Sequence, residues 1–586
     1  MPEAITVSQE QASPALLVKR ASKRWVITAA ITTAVVALPV LSVLYLALFP
    51  EDNIWPHLID TTLPRYLWTT LLLMLGVSLI TLVIGLATAW IVTMCEFPGR
   101  RFFEWAMLLP FAVPAYVIAY VYTSLLDYAG PVQTTMREWF NWRNAADYWF
   151  PEIRTLEGAT LMIGLVLYPY VYLLARAAFM DQSPSLFAVS RSLGHSALST
   201  FFRVVLPIAR PAVAVGLSLV LMETLNDFGT VDFFAVQTLT AGLFDTWMNL
   251  GNLGGAAQIA TTMLAFVVIL VTLERYSRRK QQQFAARDNR DPIRRFKISR
   301  TQQRLCVLVC ATPVILGFLI PALTLAQFAW EYFDESWNST FIRNTLNSLF
   351  LSGAAALTTL VIGVTLAYSR RLHDTRGMRI MMRLSSLGYA MPGAVLAVGV
   401  IVPLAGFDNW VDSIMRSTFG FSSGLLLSGS AFALIFAYTV RFLAVSAGSV
   451  ESALQKITPS MDMASRSLGH SPGGTLIRVH LPMLRGTLLT AALVVFVDVM
   501  KELPATLILR PFNFETLATY VYQFASDEQL ARSALPALVI VLAGIVPIIL
   551  MSRSISKSRS IASFRVDILL HKPALKDRCG LSGRRC

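Results

Sequence analysis

Along this chain, apolar stretches about as long as a bilayer is thick alternate with short polar segments. An apolar run of about 18 residues or more is long enough to cross the hydrocarbon core as a helix. Twelve such stretches are centred near residues 37, 80, 116, 169, 220, 265, 316, 357, 394, 436, 496 and 542. The pattern predicts an all-α membrane protein with twelve transmembrane helices. The first run, Trp25 to Phe49, follows Lys19, Arg20, Lys23 and Arg24. It is too long for the core of a cleaved signal and lacks an Ala-x-Ala exit, so it reads as an anchored span. Pro110, Pro114, Pro169 and Pro392 fall inside predicted spans and suggest local kinks, which membrane helices tolerate near cavities.

Composition agrees with this picture: 55% of the 586 residues are hydrophobic and 14% are charged, against about 25% charged in soluble domains. The net charge of +14 raises the question of a nucleic-acid partner, and its placement answers it. If the twelve spans hold, 37 Lys and Arg residues fall in one set of alternate polar segments and 8 in the other. By the positive-inside rule both termini are then cytoplasmic, and the basic excess is topological. No nucleic-acid partner is implied. The five cysteines (Cys95, Cys306, Cys310, Cys579, Cys586) are scattered and odd in number, which suggests neither a disulfide framework nor a zinc site.

The chain is also internally repeated. SRSLGHSALSTFFRVVLP (190–207) and SRSLGHSPGGTLIRVHLP (465–482) are identical at 12 of 18 positions, 275 residues apart. Thr81-Leu-Val-Ile-Gly85 matches Thr359-Leu-Val-Ile-Gly363, and Pro114 matches Pro392, both 278 apart. Six spans per half is an even number, so the two halves enter the membrane in the same orientation, as parallel repeats about an axis along the membrane normal. The expected organisation is a cytoplasmic segment 1–24, a first half 25–274, a cytoplasmic linker 275–304, a second half 305–551 and a basic cytoplasmic tail 552–586. A pore is expected where the halves meet.

Each near-identical segment lies in a cytoplasmic loop between the fourth and fifth spans of its half. Pro184 and Pro459 supply helix starts, apolar residues recur at helical spacing (Leu186, Val189, Leu193; Leu454, Ile457, Met461, Leu468), and Gly194 and Gly469 end the helix. A helix that only rests on lipid needs amphipathicity, not particular residues. Two equal protrusions under a two-fold body fit a two-fold partner. The spacing of Gly194 to Val204-Val-Leu206-Pro207, and of Gly469 to Val479-His-Leu481-Pro482, resembles the EAA loop of ABC importer permeases. The resemblance departs where the family carries Glu, at Ala188 and Met463, while Arg191 and Arg466 remain available beside Ser190 and Ser465. It implies that these loops couple to a homodimeric cytoplasmic ATPase that carries the ATP and Mg. The chain itself has no Gly-x-x-x-x-Gly-Lys-Ser/Thr and is expected to be no enzyme and to hold no cofactor.

Lys501-Glu-Leu-Pro-Ala-Thr506 through Leu509-Arg-Pro-Phe-Asn-Phe514, with Asp227-Phe-Gly229 at the matching place, resembles the fused twelve-span iron(III)-transport permeases. That resemblance implies a bacterial inner-membrane protein fed by a periplasmic or surface-anchored iron(III)-binding protein. Related permeases for thiamine, an aminoalkylphosphonate or a polyamine stay open, as does an ion-driven secondary transporter. Ionisable residues within a span cost roughly 2.5–3.5 kcal/mol each on insertion scales, so they usually face a cavity. Glu223 and Asp227 lie four apart in the fifth span, and Asp498 and Glu502 repeat them in the eleventh, with Asn226 and Lys501 beside them. Four carboxylates about the axis would suit a hard cation, and helix–helix ion pairs are the competing explanation. A path must release its cargo, so no tight metal site is expected. Tyr116, Tyr120, Tyr122 and the tyrosines of 168–172 could offer phenolates to iron but read rather as interfacial anchors, and Arg176 and Arg441 as snorkelling residues at span ends. The aromatic outer loop 127–157 fits either the membrane face or a binding protein.

Overall fold

The computed structural model describes residues 23–182, 184–278, 295–547 and 549. The terminal segments expected at 1–24 and 552–586, except Lys23 and Arg24, and most of the linker lie outside the described residues. Eleven single helices are long and apolar enough to cross a membrane: Arg24–Leu48, Leu63–Met94, Leu156–Met180, Leu198–Asn226, Leu253–Glu274, Arg300–Glu331, Ser339–Leu372, Gly393–Phe419, Ala431–Leu454, Pro472–Met500 and Leu530–Pro547. A twelfth candidate, third in chain order, is a pair, Arg100–Ala112 and Ala115–Phe140, bent by 88°. The expected all-α bundle of twelve is therefore present.

That third crossing departs from a plain span. Its straight part, Ala115–Leu126, has 12 residues, about 18 Å against a hydrocarbon core of about 30 Å. Pro114 stands just before the helix, extended at φ −60°, ψ 144°, and Pro392 stands in the same place before Gly393–Phe419. These prolines start helices rather than kink them, because proline suits the first turn, whose N–H groups have no partner. Each follows a short 3₁₀ turn, Leu109–Ala112 or Leu387–Ala390. Pro110 lies in the first of these turns, and Pro169 alone of the four lies inside an α-helix, Leu156–Met180.

The repeated Thr-Leu-Val-Ile-Gly frame is a packing device. A Cβ on Gly85 would lie 2.7 Å from Val171 Cβ, and one on Gly363 would lie 2.9 Å from the Ala447 nitrogen. The second span thus closes on the fourth, and the eighth on the tenth, through the same glycine. Thr81 and Thr359 are fully buried at the same interfaces.

The first span of each half crosses to the other half. Thr33 shares a hydrogen bond of 3.0 Å with Ser385, Trp25 packs edge-on against Tyr368 at 5.2 Å, and a Cβ on Gly399 would sit 2.3 Å from the Pro39 carbonyl oxygen. Reciprocally, Tyr122 donates to the Leu316 carbonyl at 2.8 Å, and Gly317 lies against Pro110 and the Leu165 carbonyl. The halves expected at 25–274 and 305–551 are therefore interlocked. A two-residue parallel bridge, Cys95–Glu96 with Phe296–Lys297, ties the end of the second span to the entry of the seventh, which already begins at Arg300.

After the fifth and eleventh spans the chain does not leave the bundle as a plain loop. Short helices Gly229–Phe233 and Leu239–Phe244, and Pro504–Leu509 and Leu517–Ser526, pack buried residues such as Thr230, Leu239, Thr506 and Leu517 into the core. Irregular backbone at this depth is tolerated where it is enclosed by protein or lines a cavity.

Candidate functional site

The two repeated segments fold alike. Helices Pro184–Ser192 and Pro459–Ser467 are followed by Gly194 and Gly469 at φ +76° and +84°. Left-handed backbone is costly for residues with a Cβ, which explains glycine at both places. The His195 and His470 amides then donate back to the Ser190 and Ser465 carbonyls at 3.1 and 3.2 Å. Across each turn a buried serine and threonine share a hydroxyl bond, Ser190 with Thr200 at 2.8 Å and Ser465 with Thr475 at 2.9 Å. A π-helical turn follows in each copy, Phe201–Val205 and Leu476–His480. Pro207 and Pro482 lack the N–H that would close the regular ladder there, so Leu-Pro widens the helix without ending it.

Both segments lie at one end of the bundle. Tyr368, near the end of the eighth span, donates to the Pro472 carbonyl at 2.7 Å. Ser369 beside it donates to the Trp25 carbonyl at the start of the first span. Trp90, near the end of the second span, packs at 5.1 Å on Phe201. Consecutive spans run in opposite directions, so the start of the first and the end of the second share a side. Outward from each segment point exposed apolar residues at matching places: Leu186 and Met461, Leu193 and Leu468, Phe202 and Ile477. The side chain of Arg191 lies outside the described residues.

One difference separates the copies. Asp462 accepts from His480 at 2.7 Å and from Arg371 at 2.5 Å, where the first copy has the apolar pair Phe187 and Val205, both buried. Burial raises the Asp462 carboxyl, but hydrogen bonds from His480 and Arg371 outweigh it and hold its pKa below the usual range.

Between the halves lies a cavity of about 110 Å³. It is lined by all six residues singled out in the sequence, Glu223, Asn226, Asp227, Asp498, Lys501 and Glu502, together with Arg441, Tyr116, Tyr170 and Phe111. The acids do not sit on two plain helical faces. Asp227 is the residue at which the fifth span ends, with extended backbone at ψ 120°, and Glu502 follows the last helical residue of its span, Met500. Each caps the short helix that follows. Asp227 accepts from the Thr230 amide at 2.9 Å and hydroxyl at 3.0 Å. Glu502 accepts from the Ala505 and Thr506 amides at 3.0 and 3.1 Å. The ion pairing considered as the competing explanation is also present: Arg441 meets Glu502 at 3.1 Å between two helices, and Lys501 meets Asp498 at 3.1 Å within the end of a single span. The same residues line the cavity and pair within it.

Three expectations are corrected here. Arg441 does not snorkel; its side chain is 6% exposed and bonds Glu502 and Asn226. Arg176 is likewise inside, paired with Glu104 at 2.9 Å. Tyr116, Tyr120, Tyr168 and Tyr172 are buried rather than interfacial, and the Tyr116 and Tyr120 hydroxyls have no hydrogen-bond partner among the described residues. Sequence reasoning missed Arg441 because one arginine within an apolar helix looks like any residue near a span end. Its repeat counterpart, Val166, gives no hint, although it lines the same cavity.

Comparison with known proteins gives a consistent result. The family model described as binding-protein-dependent transport system inner membrane component matches residues 81–283 and 359–559. The Fe(3+)-transport system permease protein FbpB 2 of Haemophilus influenzae is 26% identical over 490 residues, 83% of this chain and 88% of the relative. The ferric transport system permease protein FbpB of Actinobacillus pleuropneumoniae is 22% identical over 484 residues, 77% of this chain and 65% of the relative. The molybdenum transport system permease protein ModB of Escherichia coli K12 is 25% identical over 230 residues, 38% of this chain and 97% of the relative.

Proposed function

The chain belongs to the binding-protein-dependent transport system inner membrane components and is the permease of an ABC importer, and we propose that it carries iron(III) inward through the cavity between its halves. A homodimeric ATPase, holding the ATP and Mg, grips Pro184–Ser192 and Pro459–Ser467 from the cytoplasm, where both termini also lie. A periplasmic or surface-anchored iron(III)-binding protein delivers the cargo at the opposite end. The observation that carries this proposal is the pair of matching turns at one end of the bundle, each presenting exposed apolar residues at the same positions. Two equal halves of one partner fit two equal surfaces.

Support for the cargo comes from the cavity, where four carboxylates outnumber two cationic side chains. Carboxylate oxygens are hard ligands suited to a hard cation. The iron-transport relatives point the same way. A second possibility, an oxyanion such as molybdate, is favoured by Arg441 and Lys501 in the same cavity and by the similarity to the molybdenum permease. The test is uptake into proteoliposomes holding the chain, its ATPase and its binding protein. Radioactive iron(III) is expected to accumulate only with ATP and Mg, and molybdate, thiamine and polyamines not at all. Accumulation of one of those instead overturns the cargo, and uptake without the ATPase overturns the mechanism.

A further inference from the structure

The charges lining the cavity are unevenly distributed between the halves. On the second half each carboxylate has a cation, Asp498 with Lys501 and Glu502 with Arg441. On the first half, among the described residues, neither Glu223 nor Asp227 makes a contact ion pair, although the charges of Arg441 and Lys501 reach Glu223 as well. The arginine that makes the difference is held in a prepared seat. A Cβ on Gly393 would lie 2.5 Å from Arg441 Nη1 and 2.6 Å from Glu502 Oε1, so a side chain there would have to displace the ion pair. Asn226, from the first half, accepts from Arg441 at 3.1 Å and from the Gly393 amide at 2.6 Å. The guanidinium is thus fastened across the boundary between the halves. In the same cavity the Tyr116 hydroxyl, on a residue 5% exposed, has no hydrogen-bond partner among the described residues.

We propose that Arg441 is a tethered counter-ion of the translocation cavity: it neutralises Glu502 when the cavity is empty, and a multivalent cation entering beside Glu223, Asp227 and Tyr116 competes with its charge. An empty cavity of four bare carboxylates within a membrane would be costly and would bind a trivalent metal too tightly to let it go, whereas conduction needs binding weak enough for release. A fixed positive charge a few ångströms from the metal lowers affinity by direct repulsion in a medium of reduced dielectric. Arg441 therefore sets how weakly the path holds its cargo. Its counterpart Val166 contributes no charge, so the weakening acts from one side only. This inference rests on the assignment of the cavity to a metal cation.

The experiment uses the full-length chain in lipid nanodiscs, without ATPase or binding protein, titrated with terbium(III) and followed by aromatic-sensitised luminescence. Arg441→Gln is expected to tighten terbium binding by about tenfold or more, Arg441→Lys to leave it within about twofold, and Glu223→Gln to weaken it. In the assembled transporter Arg441→Gln should lower KM and kcat for iron together, because tighter holding slows release. Should Arg441→Gln fail to assemble, Glu502→Gln gives the same test: it frees the arginine's charge and should weaken terbium binding more than Asp498→Asn does. Unchanged or weaker binding in Arg441→Gln, or unchanged binding in Glu502→Gln, overturns the counter-ion. If the wild type binds no terbium, or Glu223→Gln has no effect, the cation path itself is wrong, which is a separate result.

Discussion

Replacing Gly194 and Gly469 tests what the repeated turns contribute. Both residues have positive φ, +76° and +84°, and a Cβ built on either meets no heavy atom of the described residues within 4 Å. The penalty for a side chain is therefore conformational and not steric. Left-handed backbone costs a residue with a Cβ about 1–2 kcal/mol, and asparagine visits that region more readily than other residues. With about 1.4 kcal/mol per factor of ten, the native turn in each loop loses roughly 5- to 30-fold against its alternatives. The double variant loses about 2–4 kcal/mol across two independent sites. This turn places Leu193 and Leu468 and closes over the Ser190–Thr200 and Ser465–Thr475 bonds, so docking weakens with it. The assay is ATP hydrolysis stimulated by loaded binding protein, measured beside cargo uptake, in proteoliposomes with matched amounts of chain. Gly194→Ala with Gly469→Ala should impair coupling about as much as the two leucine replacements, whereas the two asparagine replacements should stay near wild type. Impairment that grows with side-chain volume, with asparagine worse than alanine, would refute the conformational argument and point to direct contact with the partner.

Two further outcomes follow from single contacts. Asp462 has a depressed pKa in the folded chain, so its contribution to stability is fully present above the ordinary carboxylate pKa of about 3.9 and is lost as pH falls through the lower folded value. Thermal unfolding of the detergent-solubilised wild type and of Asp462→Asn should differ by a steady gap from pH 7 down to about pH 4 and converge only below it; a gap that persists unchanged well below that pH contradicts the assignment. Gly399→Ala would drive a methyl group to 2.3 Å from the Pro39 carbonyl, with backbone on both sides. Overpacking of this kind costs about 1–3 kcal/mol, and Gly353→Ala, where nothing lies within 4 Å, serves as the neutral control. Equal melting temperatures for the two variants would mean that the first span does not seal against the second half.

What was legible in the sequence was what repeats locally. The twelve apolar stretches became spans because length and hydropathy are properties of the segment alone. The repeated turns were legible because glycine at a left-handed position and proline at a helix start act through the backbone of their own turn. The carboxylates were found because their charge is out of place in an apolar run. Their geometry was not legible: Asp227 and Glu502 cap short helices that pack only once the halves meet, so counting residues along a helix set them on a face they do not share. The tyrosines were misplaced for a related reason. An anchor and a buried phenol look alike in sequence, and only the packing of the third crossing against the fourth and seventh spans puts Tyr116, Tyr120 and Tyr122 inside. The exchange of first spans leaves no sequence signal, since Gly399 and Gly317 are read against partners in the other half.

Where the two halves agree and where they differ follows one physical rule. The repeated turns match in backbone angle and hydroxyl bond, and in where their exposed apolar residues stand, as the proposed partner of two equal subunits would require. The cavity carries no such demand. An ion carried there, as proposed, would touch both halves at once and respond to their combined field, so one half can hold Arg441 and the other Val166. In the proposed path the uneven pairing has a use: with Asp498 and Glu502 each paired within the second half, a cation entering the cavity meets Glu223 and Asp227 as the acids that hold no ion pair among the described residues. The same rule accounts for Asp462 and His480 standing opposite Phe187 and Val205. Both pairs brace the coupling helix from behind, on the side away from the exposed residues, where a polar and an apolar solution hold the same backbone equally well.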